Sequence, residues 1–340
     1  MRVLIVGGAG YIGSHTVRAV VRAGHEVVIL DNLSTGHEQS IPVGVDFICG
    51  DILSQDDLAR TFDAGPFDAI MHFAAKAAVG ESVENPEFYY RENVQGSLML
   101  FSAARKAGVG GVVFSSSAAT YGTPQEVPIR EDATLSPINP YGWTKRMMEQ
   151  ILADFAHAYE LPSVSLRYFN AAGAEPEADA SPSDTPSGDL PAIGEDHDPE
   201  THLIPRILIS ARDGGTIKIF GTDYDTRDGT AVRDYIHVTD LAEAHVLAIG
   251  AFEKSRAKAF NLGTGTGFTV REVIDAAKRV TGIDMAVEET PRRAGDPPSL
   301  VASSEKFQAA TGWKPKFAEL ETIIETAWAW HKAHPKGYAE

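Results

Sequence analysis

The chain has 340 residues, 43% of them hydrophobic, and a formal net charge of −17. This length fits one large domain or two ordinary ones, and the negative charge argues against nucleic acid as a partner. Because Cys49 is the single cysteine, an intrachain disulfide is excluded. The sequence shows no signal-peptide pattern and no apolar run long enough to span a membrane, so we expect a cytoplasmic protein without a membrane partner.

Strands and helices alternate over the first half of the chain. Apolar runs predict strands at 2–6, 26–30, 45–49, 67–73, 111–117 and 163–169. Helices are predicted between them, over 12–23, 54–64, 86–107 and 141–160. Continuous apolar strands separated by helices are typical of a parallel sheet covered on both faces. The sequence therefore predicts an α/β fold with a Rossmann-type, doubly wound parallel sheet.

The composition changes after Asn170. Residues 171–200 are rich in Pro, Ala, Ser and acidic residues and show no periodicity, so we predict a long loop. Later strands are predicted at 216–220, 259–262 and 285–289, and later helices at 238–250, 269–281 and 318–333. We predict a dinucleotide-binding domain over 1–172, to which 234–258 returns, and a smaller α/β substrate-binding domain formed by 173–233 and 259–340.

A glycine-rich turn follows the first predicted strand. In "GGAGYIG", Gly7, Gly10 and Gly13 stand at three-residue spacing and open a helix. This strand, tight turn and helix N-terminus are what a dinucleotide pyrophosphate needs, since missing Cβ atoms let the backbone approach the phosphates. Asp31 ends the second strand, where a carboxylate binds ribose hydroxyls and repels a 2′-phosphate. Because "DNLSTG" (31–36) offers no arginine, NAD is favoured over NADP.

Further strand ends fit the same cofactor site. "GD" (Gly50, Asp51) ends the third strand, where the carboxylate can reach an adenine amino group. "HFAA" (72–75) ends the fourth strand with small residues that let a cofactor pass close. Ligands collect at the carboxyl ends of such strands, so these features count jointly.

The stretch "PYGWTK" (140–145) places Tyr141 and Lys145 on one helix face at i, i+4 spacing. Hydride removal from an alcohol requires that its proton leave too, and a phenol with a pKa of about 10 is a poor base at neutral pH. The charge of Lys145 and of an oxidised nicotinamide would lower that pKa. Ser117, in "SSSAATYG" (115–122), can hydrogen-bond the same substrate oxygen. We predict Tyr141, Lys145 and Ser117 as catalytic residues.

The combined motifs resemble the UDP-glucose 4-epimerases, which are extended short-chain dehydrogenases/reductases. The resemblance runs nearly end to end and is carried by "GGAGYIGSH", "DNL", "GDI", "HFAA", "VGES", "SSSAATYG", "PYGWTK", "LRYFNAAGA", "THLIP" and "DGTAVRDYIHVTDLAEAH". It implies interconversion of UDP-glucose and UDP-galactose with a tightly held NAD. C4 is oxidised, the 4-keto sugar rotates, and C4 is reduced from the other face. It also implies a homodimer packed through helices near 86–107 and 141–160.

The resemblance extends the set of expected contacts residue by residue. With the residues argued above, the NAD contacts become Gly7, Gly10, Tyr11, Ile12, Gly13, Asp31, Asn32, Leu33, Ser34, Thr35, Gly36, Asp51, Ile52, Phe73, Ala74, Ala75, Lys76, Asn93, Ser115, Tyr141, Lys145 and Phe169. The UDP-sugar contacts become Ser117, Tyr141, Asn170, His202, Leu203, Lys218, Ile219, Phe220, Arg233, Arg293, Asp296 and Leu300. Arg233 and Arg293 meet the need for local positive charge around a pyrophosphate in an acidic protein.

Several alternatives stay open or are disfavoured by particular residues. Nucleotide-sugar 4,6-dehydratases carry an Asp-Glu pair where Ala118 and Ala119 follow Ser117 here. A simple alcohol dehydrogenase leaves the paired arginines unexplained, and a non-catalytic NAD-binding sensor has no need for the catalytic trio. A 4-epimerase of UDP-N-acetylglucosamine, UDP-xylose/arabinose or UDP-glucuronate remains an alternative. Leu300, where some relatives carry tyrosine, is expected to leave room beside C2 of the sugar.

The 11 histidines show no paired spacing such as H-E-x-x-H. We therefore predict no metal site and interpret the histidines as structural or surface groups, with His202 as the exception.

Overall fold

The structure is a computed structural model that describes residues 1–176, 192–293 and 296–339. The part of the predicted long loop at 177–191 lies outside the described residues. Within the described ranges, every helix is too short or too polar to cross a membrane.

The larger sheet is parallel throughout and is built from the strands predicted in the first half of the chain. Its described strands are β1 (Arg2–Val6), β2 (Glu26–Asp31), β3 (Asp46–Cys49), β4 (Ala69–His72), β5 (Val112–Ser115), β6 (Ser163–Tyr168) and β10 (Ala257–Leu262). Their order in the sheet is β10-β6-β5-β4-β1-β2-β3. The strand order reverses at β1: the chain continues to β2 and β3 on one side and then crosses to β4 on the other. Doubly wound folds bind ligands in the crevice at such a point.

Helices cover both faces of this sheet, as its apolar strands require. They are α1 (Tyr11–Arg22), α2 (Gln55–Asp63), α3 (Val79–Glu84), α4 (Pro86–Tyr89), α5 (Gly96–Lys106), α6 (Pro140–Tyr159), α8 (Val238–Ile249) and α10 (Glu305–Thr311). On one face, Val17 of α1 and Leu241 of α8 belong to one buried apolar cluster with Ile5 and Met71. On the other face, α5 and α6 contribute Phe101 and Leu152 to a second cluster. The predicted fold is confirmed.

The helix predicted over 86–107 is interrupted. Residues Tyr90–Gln95 form a π-helical stretch between α4 and α5. Such wide turns are rare and occur often at functional sites. Here the stretch contains Asn93, which is fully buried and was predicted to contact NAD.

The smaller part of the molecule is arranged around β9 (Val232–His237). This strand pairs with β7 (Asn170–Ala172) and β13 (Ser299–Leu300) in parallel and with β11 (Gly267–Thr269) in antiparallel orientation, while β8 (Thr216–Phe220) pairs with β12 (Ala286–Thr290). Its apolar core includes side chains of α7 (Leu203–Asp213), α9 (Val270–Thr281) and α11 (Leu320–Ala333). The sequence did not predict α7 or α10.

The predicted domain boundary at residue 259 is wrong. The structure places β10 in the larger sheet, where Phe260 pairs with Leu166 of β6. Phe307 of α10 packs against Phe260 and covers this edge. An apolar run of this length predicts a buried strand but says nothing about which sheet it joins. The rest of the predicted domain division stays a prediction.

Candidate active site

A cavity of about 480 Å³ opens at the carboxyl ends of the larger sheet's strands. Strand ends from β1 to β6 border it on one side, and β9 and β13 border it on the other. All the predicted NAD contacts except Leu33 and Gly36 line this cavity. Those two lie beside it, on the neighbouring surface around His37. Motifs that are scattered in the sequence therefore meet at one edge of the sheet.

The glycine turn is packed too tightly for side chains. Gly7 has φ +82°, and a Cβ added there would lie 2.5 Å from the backbone nitrogen of Ala74. A Cβ on Gly13 would lie 2.0 Å from the carbonyl oxygen of Gly7. Gly10 lies at the N-cap of α1, at the positive end of the helix dipole. This cradle fits a dinucleotide pyrophosphate, because the missing side chains at Gly7 and Gly13 let the backbone pack closely beside a helix N-terminus.

Asp31 has a structural task in addition to its predicted role. Its Oδ2 accepts the N–H of Ala9 at 2.9 Å, and its Oδ1 accepts the N–H of Leu33 at 2.8 Å. Burial raises the pKa of this carboxyl, whereas these amide hydrogen bonds lower it. Asp31 thereby ties the glycine turn to the start of the 31–36 stretch, and each oxygen keeps a lone pair for a ribose hydroxyl.

Asn93 and Lys76 line the same cavity and are hydrogen-bonded to each other. The Asn93 side chain accepts the backbone N–H of Lys76 at 2.8 Å and donates to its carbonyl at 2.9 Å. The ammonium group of Lys76 reaches Ser34 Oγ, at 3.1 Å. Asn32 donates to Asp51 at 2.8 Å, which joins the ends of β2 and β3. Several of the polar side chains predicted to contact NAD are therefore held in place by hydrogen bonds.

The predicted catalytic residues come from two elements that end at the cavity. Tyr141 lies in the first turn of α6, where Pro140 starts the helix and the Asn139 side chain accepts the N–H of Gly142 at 2.8 Å. Ser117 follows β5, and its Oγ accepts the N–H of Ala119 at 3.1 Å. Burial raises the pKa of the Tyr141 phenol, and a hydrogen bond with Ser117 partly offsets that rise.

Lys145 lies one turn further along α6. Its Nζ donates to the carbonyl of Ser115 at 2.7 Å and lies 5.8 Å from the centre of the Tyr141 ring. Burial lowers the pKa of the Lys145 ammonium to about 7, against the opposing effect of the Glu149 carboxylate. The lysine is therefore close enough to influence the phenol electrostatically, and its own charge is sensitive to its surroundings.

A buried polar network supports this arrangement and was not predicted from the sequence. Glu149, one further turn along α6, accepts two hydrogen bonds from Arg167 at 2.8 and 2.6 Å. It also accepts Ser116 Oγ at 2.6 Å, and Arg167 donates to Tyr121 Oη at 2.9 Å. The i, i+4 spacing of Lys145 and Glu149 was the available signal, but the partner on β6 is not local in sequence.

The predicted sugar-nucleotide contacts are only partly gathered at the cavity. Arg233 on β9 forms an ion pair with Asp296, and Leu300 is paired with Arg233 in the strand register. Asn170 donates to the backbone carbonyl of Asp234 at 2.9 Å. The cavity is lined by Ser117, Tyr141, Asn170, His202, Arg233, Asp296 and Leu300.

The remaining predicted substrate contacts lie away from the cavity wall. They are Leu203, Lys218, Ile219, Phe220 and Arg293. Ile219 is buried in the apolar core of the smaller part, so its predicted contact could involve only its backbone. Arg293 lies over the ring of Phe220, with 3.8 Å between its guanidinium carbon and the ring centre. Their contact with substrate stays a prediction.

Sequence analysis missed a cluster at the cavity's edge. Glu195 and His197 line the cavity next to His202, and Glu200 completes a group of four. Burial lowers the pKa of both histidines, but the two carboxylates outweigh it and raise the pKa of His197 to about 9 and of His202 to about 10. The signal in the sequence is the alternation of acidic residues and histidines in "EDHDPETH" (195–202), which differs from the helical H-E-x-x-H spacing.

A doubly wound parallel sheet with a glycine turn and a Ser-Tyr-Lys trio at its carboxyl edge defines the class of short-chain dehydrogenases/reductases. Within that class, the chain belongs to the NAD dependent epimerase/dehydratase family, whose model matches residues 3–263.

Individual relatives share nearly the whole chain. A UDP-glucose 4-epimerase of Lactobacillus helveticus is 49% identical over 342 residues, covering 100% of both chains. The crystal structure of a UDP-glucose 4-epimerase from Brucella ovis in complex with NAD is 46% identical, with a TM-score of 0.88, and covers 96% of this chain and 97% of that one. The enzyme from Bifidobacterium longum in complex with NAD⁺ and UDP is 35% identical, with a TM-score of 0.90, and covers 99% and 100%. The resemblance stated from the motifs is confirmed.

Proposed function

We propose that the protein is a UDP-glucose 4-epimerase, which interconverts UDP-glucose and UDP-galactose with NAD as its resident cofactor. The observation that carries this proposal is the convergence of Ser117, Tyr141 and Lys145 on the same cavity as the glycine turn and Arg233. A dehydrogenase site and an anion-binding arginine in one cavity suit a reaction at a sugar attached to a diphosphate.

The residues present fit NAD. The cavity is lined by the glycine turn, which leaves no room for side chains, by Asp31, and by the small residues Ala74 and Ala75. When bound there, NAD would supply a hydride acceptor for the oxidation of C4 and, once reduced, a hydride donor for its reduction. In the relatives from Brucella ovis and Bifidobacterium longum, the cofactor is part of the solved complex.

Tyr141 is proposed to move the proton that accompanies this oxidation. As the phenolate, it takes the proton of the C4 hydroxyl and becomes the neutral phenol. It returns the proton when C4 is reduced again, so the residue is unchanged after a turnover. Ser117 hydrogen-bonds the same sugar oxygen and holds it near the phenol. The Lys145 ammonium, fixed by the carbonyl of Ser115, stabilises the phenolate while the proton is away.

Arg233 is proposed to bind the diphosphate of the UDP-sugar. Its guanidinium is held by Asp296 and by the carbonyl of Val232, the latter at 2.8 Å. A guanidinium that is oriented before binding loses less side-chain entropy when it pairs with phosphate oxygens. Arg293, which is stacked on Phe220, is proposed as the second cation.

The decisive experiment uses the purified chain without added cofactor. We expect incubation with UDP-galactose to yield UDP-glucose, because a retained NAD is regenerated in each turnover. The two sugars are separated by chromatography, and the denatured protein's supernatant is analysed for released NAD. Bound NAD without turnover of any UDP-sugar would contradict the enzyme assignment and favour the NAD-binding sensor.

The protein is also proposed to act as a cytoplasmic homodimer in galactose metabolism. Support for the dimer comes from an apolar surface on α5 and α6, where Leu98, Trp143 and Met147 are 42%, 43% and 38% exposed. We expect sedimentation to give twice the chain mass, and Met147→Asp to shift it towards the monomer. Val43→Asp, a charge on a distant exposed residue, is the matched control. A monomeric wild type would refute the dimer.

A further inference from the structure

The cluster of Glu195, His197, Glu200 and His202 is separate from the catalytic trio and places one nitrogen or oxygen atom of each side chain within 4.8 Å of the others. Nδ1 of His202 lies 3.0 Å from Glu195 Oε1 and 2.9 Å from Glu200 Oε1. Nδ1 of His197 lies 3.3 Å from an oxygen of each carboxylate. We infer that these four side chains form a binding site for a single divalent metal ion of the zinc type.

The distances match those of a tetrahedral ion. Zinc bonds to imidazole nitrogen and carboxylate oxygen are about 2.0–2.2 Å long, so tetrahedral ligand atoms lie roughly 3.4 Å apart. The four nitrogen–oxygen separations here, 2.9 to 3.3 Å, fall a few tenths of an ångström below that value. Every separation within the cluster is at most 4.8 Å, and Glu200 faces the two histidines with different oxygens. An ion at the centre therefore requires only small adjustments of the side-chain ends.

The charges and donor types also fit. Two carboxylates and two neutral imidazoles carry a charge of −2, which one divalent cation balances. Mixed imidazole and carboxylate donors suit zinc and related transition metals, whereas magnesium and calcium prefer oxygen ligands alone. The rival is a metal-free cluster in which each imidazole is protonated and pairs with the carboxylates. The metal site and the metal-free cluster can be distinguished by whether the protein binds a metal ion at these residues.

Contacts outside the cluster hold the ligands in place. Glu200 Oε1 accepts the backbone N–H groups of Thr201 and His202, at 2.6 and 2.7 Å. The carbonyl of Glu195 accepts Trp330 Nε1 at 3.3 Å. Such supporting hydrogen bonds orient metal ligands before the ion arrives.

Tyr338 forms hydrogen bonds with the residues on either side of Glu195. The backbone N–H of Tyr338 donates to Asp196 at 2.9 Å, and its hydroxyl accepts the N–H of Gly194 at 3.1 Å. The ring of Tyr338 stacks on His37, with 4.5 Å between ring centres. Tyr338 thus holds the start of the segment that carries the four side chains and also contacts His37, in the loop after β2.

Four protein ligands leave no open position on a tetrahedral ion, which is the arrangement of structural rather than catalytic zinc sites. The ion would fix the segment that leads into α7 and carries the cavity-lining residues Glu195, His197 and His202. The His202 side chain is 47% exposed, so an ion can enter from that side. We expect binding to raise the midpoint of thermal unfolding without being required for turnover.

The test uses tag-free, full-length protein with its own cofactor, dialysed against a chelator and then titrated with Co²⁺. We expect about one equivalent of Co²⁺ to bind with the intense visible absorption of a tetrahedral site, and Zn²⁺ to displace it. His197→Asn should weaken Co²⁺ binding at least ~100-fold, the upper end of the effect known for residues that only support ligands. His157→Asn, which changes an exposed histidine at the end of α6, is the matched control.

The outcomes are distinct. Loss of the absorption in His197→Asn but not in His157→Asn supports the site. Absence of the absorption in the wild type, or equal binding by both variants, overturns it and leaves the protonated ion-pair cluster. Glu200→Gln repeats the test if His197→Asn fails to fold, as judged by circular dichroism. Because the readout is metal binding, a failure here is independent of the proposed epimerase activity.

Discussion

Replacing Tyr141 by phenylalanine removes the proposed proton acceptor and little else. The change deletes one hydroxyl from the first turn of α6 and leaves the ring, the Pro140 start and the Asn139 cap intact. Loss of a positioned general base typically slows a reaction ~10²–10⁴-fold. At ~1.4 kcal/mol per factor of ten, this is about 3–5.5 kcal/mol of lost transition-state stabilisation.

The effect on folding should be much smaller. The phenol of Tyr141 interacts with Ser117, and the net contribution of one such hydrogen bond to stability is about 1 kcal/mol. A typical domain has about 5–15 kcal/mol of stability, so the variant should fold and keep its NAD. We therefore expect kcat for UDP-galactose to fall by the full factor while the amount of bound NAD and the unfolding midpoint stay near the wild-type values.

The assay is chromatographic separation of UDP-galactose and UDP-glucose over time, with NAD counted after denaturation. Tyr159→Phe is the control, because it deletes the same hydroxyl from an exposed tyrosine at the far end of the same helix. The pH dependence gives a second check. Since burial raises the pKa of the phenol, kcat/KM should increase with pH on the acidic side. Turnover by Tyr141→Phe close to that of Tyr159→Phe would refute the role of Tyr141.

The other predictions concern charge, cofactor choice, the glycine turn and substrate breadth. Lys145→Met should raise the phenol's pKa and move the activity optimum to higher pH; an unchanged profile with intact NAD binding would exclude the lysine as the electrostatic partner. The Asp31 carboxylate should exclude a 2′-phosphate, so mass analysis of the released cofactor should find NAD, and finding NADP would contradict our interpretation of 31–36. Gly13→Ala should lower NAD occupancy, because its Cβ would lie 2.0 Å from the Gly7 carbonyl oxygen, whereas Gly80→Ala, with open space at its Cβ, should not. Leu300→Tyr should selectively suppress turnover of UDP-N-acetylglucosamine, and Leu300→Ser should favour it, by ~10–200-fold in the ratio of kcat/KM values; one shared ratio in all variants would remove Leu300 as the gate.

Much of the larger sheet and of the site at its edge is encoded in short stretches of sequence. Gly7, Gly10 and Gly13 stand within one turn, so strand, turn and helix N-terminus follow from adjacent residues. Tyr141 and Lys145 share a helix face because four residues make about one helical turn. The apolar runs of β1 to β6, separated by helices, also predict a parallel sheet, since the strands of such sheets are covered by helices on both faces.

The arrangement of distant segments was decided only by the tertiary structure. β10 joins the larger sheet because its apolar residues are buried between β6 and α10, a choice that its own sequence does not contain. Arg233 meets Asp296 because β9 and β13 pair. Glu149 is neutralised by Arg167 from a different element.

The Glu195–His202 cluster shows the same limit within a short segment. Its four side chains are close in sequence, yet the segment has no helical or strand periodicity from which side-chain directions could be derived. The segment is held by residues that are remote in sequence: Trp330 donates to the backbone carbonyl of Glu195, and Tyr338 donates to the neighbouring Asp196. The sequence determined what local hydrogen bonds and side-chain periodicity dictate. The tertiary structure decided which remote surfaces exclude water together, because burial is non-directional and only the folded chain fixes which segments share it.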